Sequence, residues 1–217
     1  MKTRAFTKTY GNGFRLAVPA LELDPGTITA VIGANGSGKS TLARTLAGLD
    51  RADGGAIPLS GVRAGYLPQR PFAFRMRVEQ NILLGGHDPA RFSELTEALG
   101  LTALLPRRAK RLSGGETAKL ALARLLMGDF PLLILDEPTA AMDEESTLAA
   151  EALLRRRCEA DGSAILLVTH SLSQARRIAD HVLFFKNGQL VEEGRAAEAL
   201  HAPETEELKR FLAFYEN

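Results

Sequence analysis

Apolar residues are concentrated in three short runs, 27–32 with Thr27 and Thr29 among them, 131–135 and 164–168, each bounded by turn or polar residues. That is the pattern of strands covered on both faces, as in a parallel sheet. Helix-period segments follow each of the first two: 41–47, with leucine and alanine on one face, and a stretch through Arg157 that opens behind Asp143, a candidate N-cap. A further helical pattern covers 119–126. Strands alternating with helices predict an α/β fold. Weak alternation of Phe6, Tyr10, Phe14, Leu16, Val18, Leu21 and Leu23 about Gly11-Asn12-Gly13 predicts an N-terminal β-hairpin, and Asp24-Pro25-Gly26 a turn into the first buried strand. Ile57 and Leu59 suggest one short strand and residues 65–68 another, the latter leading into Gln69. Between 70 and 111 the segments 78–84, 89–99 and 101–105 favour helix and no strand run intervenes, so a helical insertion interrupts the sheet. Residues 182–185, Asn187-Gly188 and 189–192 predict a second hairpin, and a helix from Ala196 to Phe214 ends the pattern.

Composition narrows the class. The 217 residues are 45% hydrophobic and 24% charged, with a net charge of +1, ordinary for a globular protein and without a nucleic-acid footprint. Cys158 is the sole cysteine, so no internal disulfide can form, and its charged helical setting assigns it no chemistry. No run approaches the ~20 apolar residues of a membrane span, and the opening residues lack a signal-peptide core. Membrane association is therefore expected to go through a partner. The basic run Arg107, Arg108, Lys110 and Arg111 is most simply a solvated turn.

The chemistry sits at the ends of the apolar runs. Gly33-Ala34-Asn35-Gly36-Ser37-Gly38-Lys39-Ser40, followed by Thr41, fits GxxxxGK[ST] between a strand and a helix. Backbone N–H groups of such a loop wrap a polyphosphate, Lys39 would hold its β- and γ-phosphates, and the Ser40 hydroxyl would ligate Mg²⁺. A strand ending in Asp136-Glu137 sends its two carboxylates to opposite sides. One can face a metal while the other faces an attacking water. Ser113 and Glu116 form a capping box, but the intervening Gly114 and Gly115 lower helix propensity, which suggests close approach of an anion to the backbone. His170 follows the third apolar run, where it can reach a γ-phosphate or simply hydrogen-bond at the edge. Tyr10 can stack on an adenine or pack on its own sheet. Phe72, Phe74, Met76 and Val78 form either the core of the insertion or an exposed docking patch.

Together GANGSGKS, Gln69, LSGGE, LLILDEP, Asp143 and His170 resemble the ATP-binding subunit of bacterial ABC transporters over almost the whole chain. The resemblance implies a P-loop NTPase (RecA-like) core with a small N-terminal antiparallel β-subdomain and an inserted α-helical subdomain carrying LSGGE. It implies one ABC ATPase domain over 1–217, with 1–69 and 131–217 forming core and β-subdomain and 70–130 the helical part. It further implies ATP and Mg²⁺ as ligands. Nucleotide contacts would come from Tyr10, Gly33, Asn35, Gly36, Ser37, Gly38, Lys39, Ser40 and Thr41, and from Ser113, Gly114, Gly115, Glu116 and Asp143. Ser40, Gln69 and Asp136 would hold the metal, and Glu137, His170, Gln69 and Lys39 would carry the reaction, Glu137 as the base. The family works as a head-to-tail dimer in which the LSGGE segment of one chain covers the ATP of the other. Implied partners are therefore a second copy, integral membrane permease subunits docking on the 72–78 region, and a substrate-binding protein, at the cytoplasmic face of the inner membrane and without nucleic acid.

Departures from the commonest pattern are Glu116 in place of Gln, Thr117-Ala118-Lys119 after it, Ala140-Ala141-Met142-Asp143, and short segments on either side of Gln69. None removes a catalytic group. Compactness and segments such as LSGGET look most like importers of inorganic ions, with a tungstate- or molybdate-type oxyanion preferred and zinc-type metal ions and amino acids behind it. A soluble ABC-type ATPase acting on a ribosome or DNA is the alternative; the single cassette, the absence of a heptad insertion and the near-neutral charge argue against it.

Overall fold

A computed structural model describes every residue except Asn12, Ala56, Ile57, Ser60, Glu216 and Asn217. Its strands are β1 (Phe6–Thr9), β2 (Arg15–Val18), β3 (Ile28–Ile32), β4 (Ala64–Leu67), β5 (Leu132–Asp136), β6 (Ala164–Val168), β7 (His181–Lys186) and β8 (Gln189–Arg195). They form one sheet in the order β1-β2-β8-β7-β3-β6-β5-β4. The half running from β7 to β4 is parallel, and the antiparallel pairs β1–β2 and β7–β8 lie at the other end. Both expected hairpins are present, although Asn12 of the first turn lies outside the described residues. Asn187 and Gly188 both have positive φ, 50° and 77°, as a tight turn between twisted strands requires. At Gly188 a Cβ would stand 2.0 Å from the Arg15 carbonyl oxygen, so this turn also lets β2 close onto β8.

Alternation along the central strands sorts the core into two faces. Leu133, Leu135, Ile165 and Leu167 pack with α4 (Gly114–Leu126) and α5 (Glu144–Asp161). Leu132, Ile134, Leu166 and Val168 pack on the opposite face with Leu42, Ala43 and Leu46 of α1 (Lys39–Leu46). Full burial on both faces explains why β5 and β6 carry no polar residue before their C-terminal ends, and why β3 carries only the small hydroxyl of Thr29. Ala30 and Ile32 meet α6 (Leu172–Ile178), α7 (Ala196–Ala199) and α8 (Glu206–Tyr215).

Between β4 and β5 come α2 (Val78–Leu83), α3 (Pro89–Ala98) and α4, with no strand among the described residues. The stretch 101–105 forms only a 3₁₀ turn, Thr102–Leu104, because Gly100 and Pro106 leave too little chain for an α-helix. The expected terminal helix is two helices: the chain turns at 200–205, and Pro203 removes the N–H that a continuous helix would need there. Leu59 lies in a turn rather than a strand and Ile57 is outside the described residues. Helix α6 has no counterpart among the expected elements. Cys158 is 1% exposed on α5 and burial pushes its thiol up to about 11, so it is an inert core residue. No described helix is long and apolar enough to cross a membrane.

Candidate functional site: a phosphate loop at the carboxyl edge of the sheet

Register decides which side chains meet. Val31 and Asp136 both lie beside Val168, and Leu67 pairs with Leu135. The loops that begin at Gly33, Gln69, Glu137 and His170 therefore leave the sheet at one level, the edge where open α/β sheets bind ligands.

Gly33 opens the first of these loops with φ 147°, and a Cβ there would lie 2.1 Å from the Phe185 carbonyl oxygen, so only glycine lets the loop turn against β7. Gly38, at φ 105°, begins α1 without a side-chain cap, leaving the first backbone N–H groups of that helix free for an anion. Lys39, 6% exposed, donates from Nζ to the carbonyls of Gly33 (2.7 Å) and Ala34 (3.0 Å), folding its ammonium over the loop. The Ser37 hydroxyl is buried without a hydrogen-bond partner. A folded-back ammonium beside uncapped helix N–H groups fits a ligand rich in anionic oxygens.

Asp136 is 2% exposed, and its Oδ1 accepts from the Ser40 hydroxyl at 3.2 Å. Burial is the main cause that raises the Asp136 pKa, and the Glu137 charge adds to it, while the Ser40 hydrogen bond, Lys39 and Arg44 oppose. A hydroxyl and a buried carboxylate in contact are the donor set Mg²⁺ uses beside phosphate, with few protein ligands and several waters. Among the described residues no three His, Cys, Asp or Glu side chains cluster as a metal site.

An elevated pKa means that the folded chain takes up a proton at Asp136 where the unfolded chain does not. Stability from this group is thus lost as pH rises from the ordinary carboxylate value through the raised one, and the full cost is present above it. Asp136→Asn is expected to melt higher than the ligand-free wild type near neutral pH, by roughly 2–4 °C for each kcal/mol relieved. The advantage should shrink toward about pH 4. Thermal unfolding across pH checks this; an Asn variant that melts lower throughout would show that the carboxylate stabilises the fold.

Glu137 leaves the strand with φ 50°, unusual for a residue with a side chain, and its amide donates to the Val168 carbonyl at 2.9 Å. Its Oε2 accepts from Gln69 Nε2 at 2.9 Å and stands 3.4 Å from His170 Nδ1. Tyr10, Phe14, Asn35, Gly36, Gly38, Lys39, Ser40, Thr41, Gln69 and Glu137 line one cavity of about 810 Å³. Tyr10 packs near Phe14 with ring centroids 6.2 Å apart, and 37% of it remains exposed. Phe14, which the patterning places only on the hairpin, is thus an additional aromatic wall.

Gly33, Ser37 and His170 lie outside that lining, and so do Ser113, Gly114, Gly115, Glu116 and Asp143. Ser113 and Glu116 cap α4 reciprocally: Ser113 N donates to Glu116 Oε2 at 2.7 Å, and Glu116 N to Ser113 Oγ at 3.2 Å. The bond from the Ser113 amide is the main cause that holds the Glu116 carboxyl below its usual value. The two glycines differ. A Cβ on Gly115 would stand 2.7 Å from the Ala141 carbonyl oxygen, so that glycine answers to the chain's own backbone, whereas Gly114 faces open space. Asp143 caps α5 through Ser146 N at 2.8 Å, with Lys119 Nζ 3.9 Å away. In the 72–78 stretch Val78 is buried and Phe72 and Phe74 are exposed, with the Arg124 guanidinium 5.2 and 5.0 Å from their ring centres.

A glycine loop between strand and helix, a buried acid at the end of a central parallel strand and a second acid beyond it define a P-loop nucleoside triphosphatase. The sequence pattern of the family described as ABC transporter matches residues 16–140, and the chain belongs to that family, as an ATP-binding, ATP-hydrolysing subunit. It is 32% identical over 199 residues to the thiamine import ATP-binding protein ThiQ of Jannaschia sp. (strain CCS1), covering 83% of this chain and 87% of the relative. It is 34% identical over 200 residues to the tungstate uptake system ATP-binding protein TupC of Peptoclostridium acidaminophilum, covering 85% and 94%. A solved structure described as the ATP binding subunit of an ABC transporter superimposes with a TM-score of 0.83 at 24% identity, over 100% of this chain and 99% of that one, a likeness of fold.

Proposed function

We propose that this subunit drives import of a small solute, with a tungstate- or molybdate-type oxyanion as the preferred cargo, through membrane permease subunits that dock on the 72–78 region. It would sit peripherally at the cytoplasmic face of the inner membrane and work with a substrate-binding protein. The import reading rests on the names of the relatives and the oxyanion on the tungstate system among them. The observation that carries the catalytic reading is the shared level at which the loops beginning at Gly33, Gln69, Glu137 and His170 leave the sheet.

Ser40 and Asp136, with Gln69 from the neighbouring loop, would hold Mg²⁺, which supplies charge neutralisation at the β- and γ-phosphates. Lys39 turns from the Gly33 and Ala34 carbonyls to the phosphate oxygens, and loop N–H groups from Gly36 to Thr41 with the Ser37 hydroxyl complete the cradle. Tyr10 stacks on the adenine. Glu137 accepts the proton of the attacking water, and Gln69 and His170 hold its carboxylate in place. Residues 1–69 and 131–217 form core and β-subdomain, and 70–130 is the helical part that passes the cycle to the membrane subunits.

Ser113, Gly114, Gly115, Glu116 and Asp143 lie outside the cavity lining in their own chain, and Ser113 and Gly114 are exposed. Their nucleotide contacts are therefore assigned to a second copy packed head-to-tail. Turnover by the purified chain should then rise more steeply than linearly with protein concentration. Ser113→Arg should lower it about 100-fold while nucleotide binding to the single chain is kept. Linear kinetics indifferent to Ser113 would place the whole site within one chain. Uptake of labelled molybdate, tungstate or thiamine by vesicles containing the assembled transporter identifies the cargo.

A further inference from the structure

One buried amide ties together the two loops that carry the groups around Glu137. Gln174, on α6, is 2% exposed, and its Nε2 donates to Thr139 Oγ1 at 3.0 Å and to Glu151 Oε1 at 3.1 Å. Thr139 stands two residues beyond Glu137, in the segment whose carbonyl at Ala141 packs on Gly115. Glu151, on α5, is 3% exposed and accepts two further bonds from Arg177, Nε to Oε2 at 2.8 Å and Nη2 to Oε1 at 2.7 Å. The start of α6 is fixed equally closely to His170: Ser171 caps it, accepting from Gln174 N at 3.2 Å, while Ser171 N donates to Thr169 Oγ1 at 3.0 Å.

The His170 side chain is 57% exposed and Glu137 adopts a backbone conformation that side chains disfavour. A strained residue keeps its geometry only where its surroundings over-determine it. The Gln174 amide is a bond between the two loops at a buried position, and the Glu151–Arg177 pair anchors it in α5 and α6.

We infer that Gln174, held by Glu151 and Arg177, is a positioning residue that sets the distance between Glu137 and His170 through Thr139. The inference rests on the roles proposed for Glu137 and His170. Gln174 touches no reacting atom, so its loss changes the geometry in which water is activated and leaves the phosphate cradle on β3 and α1 as it was.

The test is steady-state ATP hydrolysis by Thr139→Val, Thr139→Ser and Gln174→Leu beside the wild type, with thermal unfolding of each. Val keeps the volume of Thr139 and removes its hydroxyl, and Ser keeps the hydroxyl. Thr139→Val and Gln174→Leu are expected to lower kcat about tenfold with KM for ATP within twofold of wild type, and Thr139→Ser to stay within twofold in both. The double variant Thr139→Val with Gln174→Leu should lose no more than Gln174→Leu alone, since the Thr139–Gln174 bond is already absent in Gln174→Leu. Unchanged kcat in folded Thr139→Val, or equal losses in the Ser and Val variants, would overturn the inference. If Gln174→Leu does not fold, the Val and Ser pair decides by itself. Failure of the underlying roles is distinguishable, because Glu137→Gln would then turn over normally whatever the Thr139 variants do.

Discussion

Glu137→Gln is expected to bind ATP as tightly as the wild type and to turn it over at least about 100-fold more slowly, within the range assigned to a lost general base. The substitution preserves size and planarity and still offers an oxygen to Gln69, but it cannot take a proton. The wild-type carboxylate is well placed to accept one. It is 14% exposed, with one oxygen already engaged by Gln69 at 2.9 Å and His170 at 3.4 Å. Its φ of 50° adds a cost of order 1 kcal/mol. The chain retains that conformation at the end of a buried strand, where an ordinary extended residue would send the side chain elsewhere. Equilibrium nucleotide binding together with single-turnover phosphate release checks the prediction. Turnover within threefold of wild type would remove Glu137 from the chemistry and leave His170 or a water chain as the base.

Lys39→Met is expected to weaken ATP binding by about 10- to 100-fold, since a charge-assisted bond to phosphate is worth roughly 1.5–3 kcal/mol. Hydrolysis should fall with it. Stability of the ligand-free chain is set by two opposing effects, loss of the bonds to the Gly33 and Ala34 carbonyls and relief of a buried charge, and pH acts on the second. Burial is the main cause that lowers the Lys39 pKa, and the Glu137 and Asp136 charges only partly offset it. A lowered folded pKa means that the folded state holds this proton less tightly than the unfolded one. The charge therefore costs stability at every pH below the folded value, and the cost disappears as pH rises from there to the usual lysine value. The wild type should accordingly gain on the Met variant in melting temperature as the solution is made alkaline. Calorimetric titration with ATP and melting curves across pH separate the two effects. Wild-type affinity in the variant would show that backbone N–H groups alone hold the phosphates.

Much of this architecture is legible in the chain itself. The buried strands announce themselves because a strand covered on both faces is almost wholly apolar, with Thr29 in β3 as the exception, and the glycine loop does so because Gly33 must turn where a Cβ would strike the Phe185 carbonyl. Other elements are not legible. Helix α6 is only Leu172–Ile178, too short for a 3.6-residue period to stand out, and its cap, Ser171, directly follows the histidine that ends the preceding pattern. The terminal segment reads as one helix because the residues on both sides of the turn at 200–205 favour helix, and Pro203 marks the break. Gly115 reads as opening the α4 N-terminus to an anion, yet the group closest to it is Ala141, which belongs to a distant part of the chain.

Taken alone, the sequence determined which chemical groups stand at the strand ends: a phosphate loop after β3, two acids after β5, an amide after β4 and a histidine after β6. It determined these because each strand and the turn beyond it are local, written in a few consecutive residues. Only the tertiary structure decided that they act at one place. The pairing of Leu67 with Leu135, and of Val31 and Asp136 with Val168, joins residues far apart in the chain, and no local period encodes that register. A slip of one residue would turn every core side chain on a strand to the other face. Packing the two apolar faces against α1 and against α4 and α5 is what fixes the level at which Lys39, Gln69, Asp136, Glu137 and His170 meet.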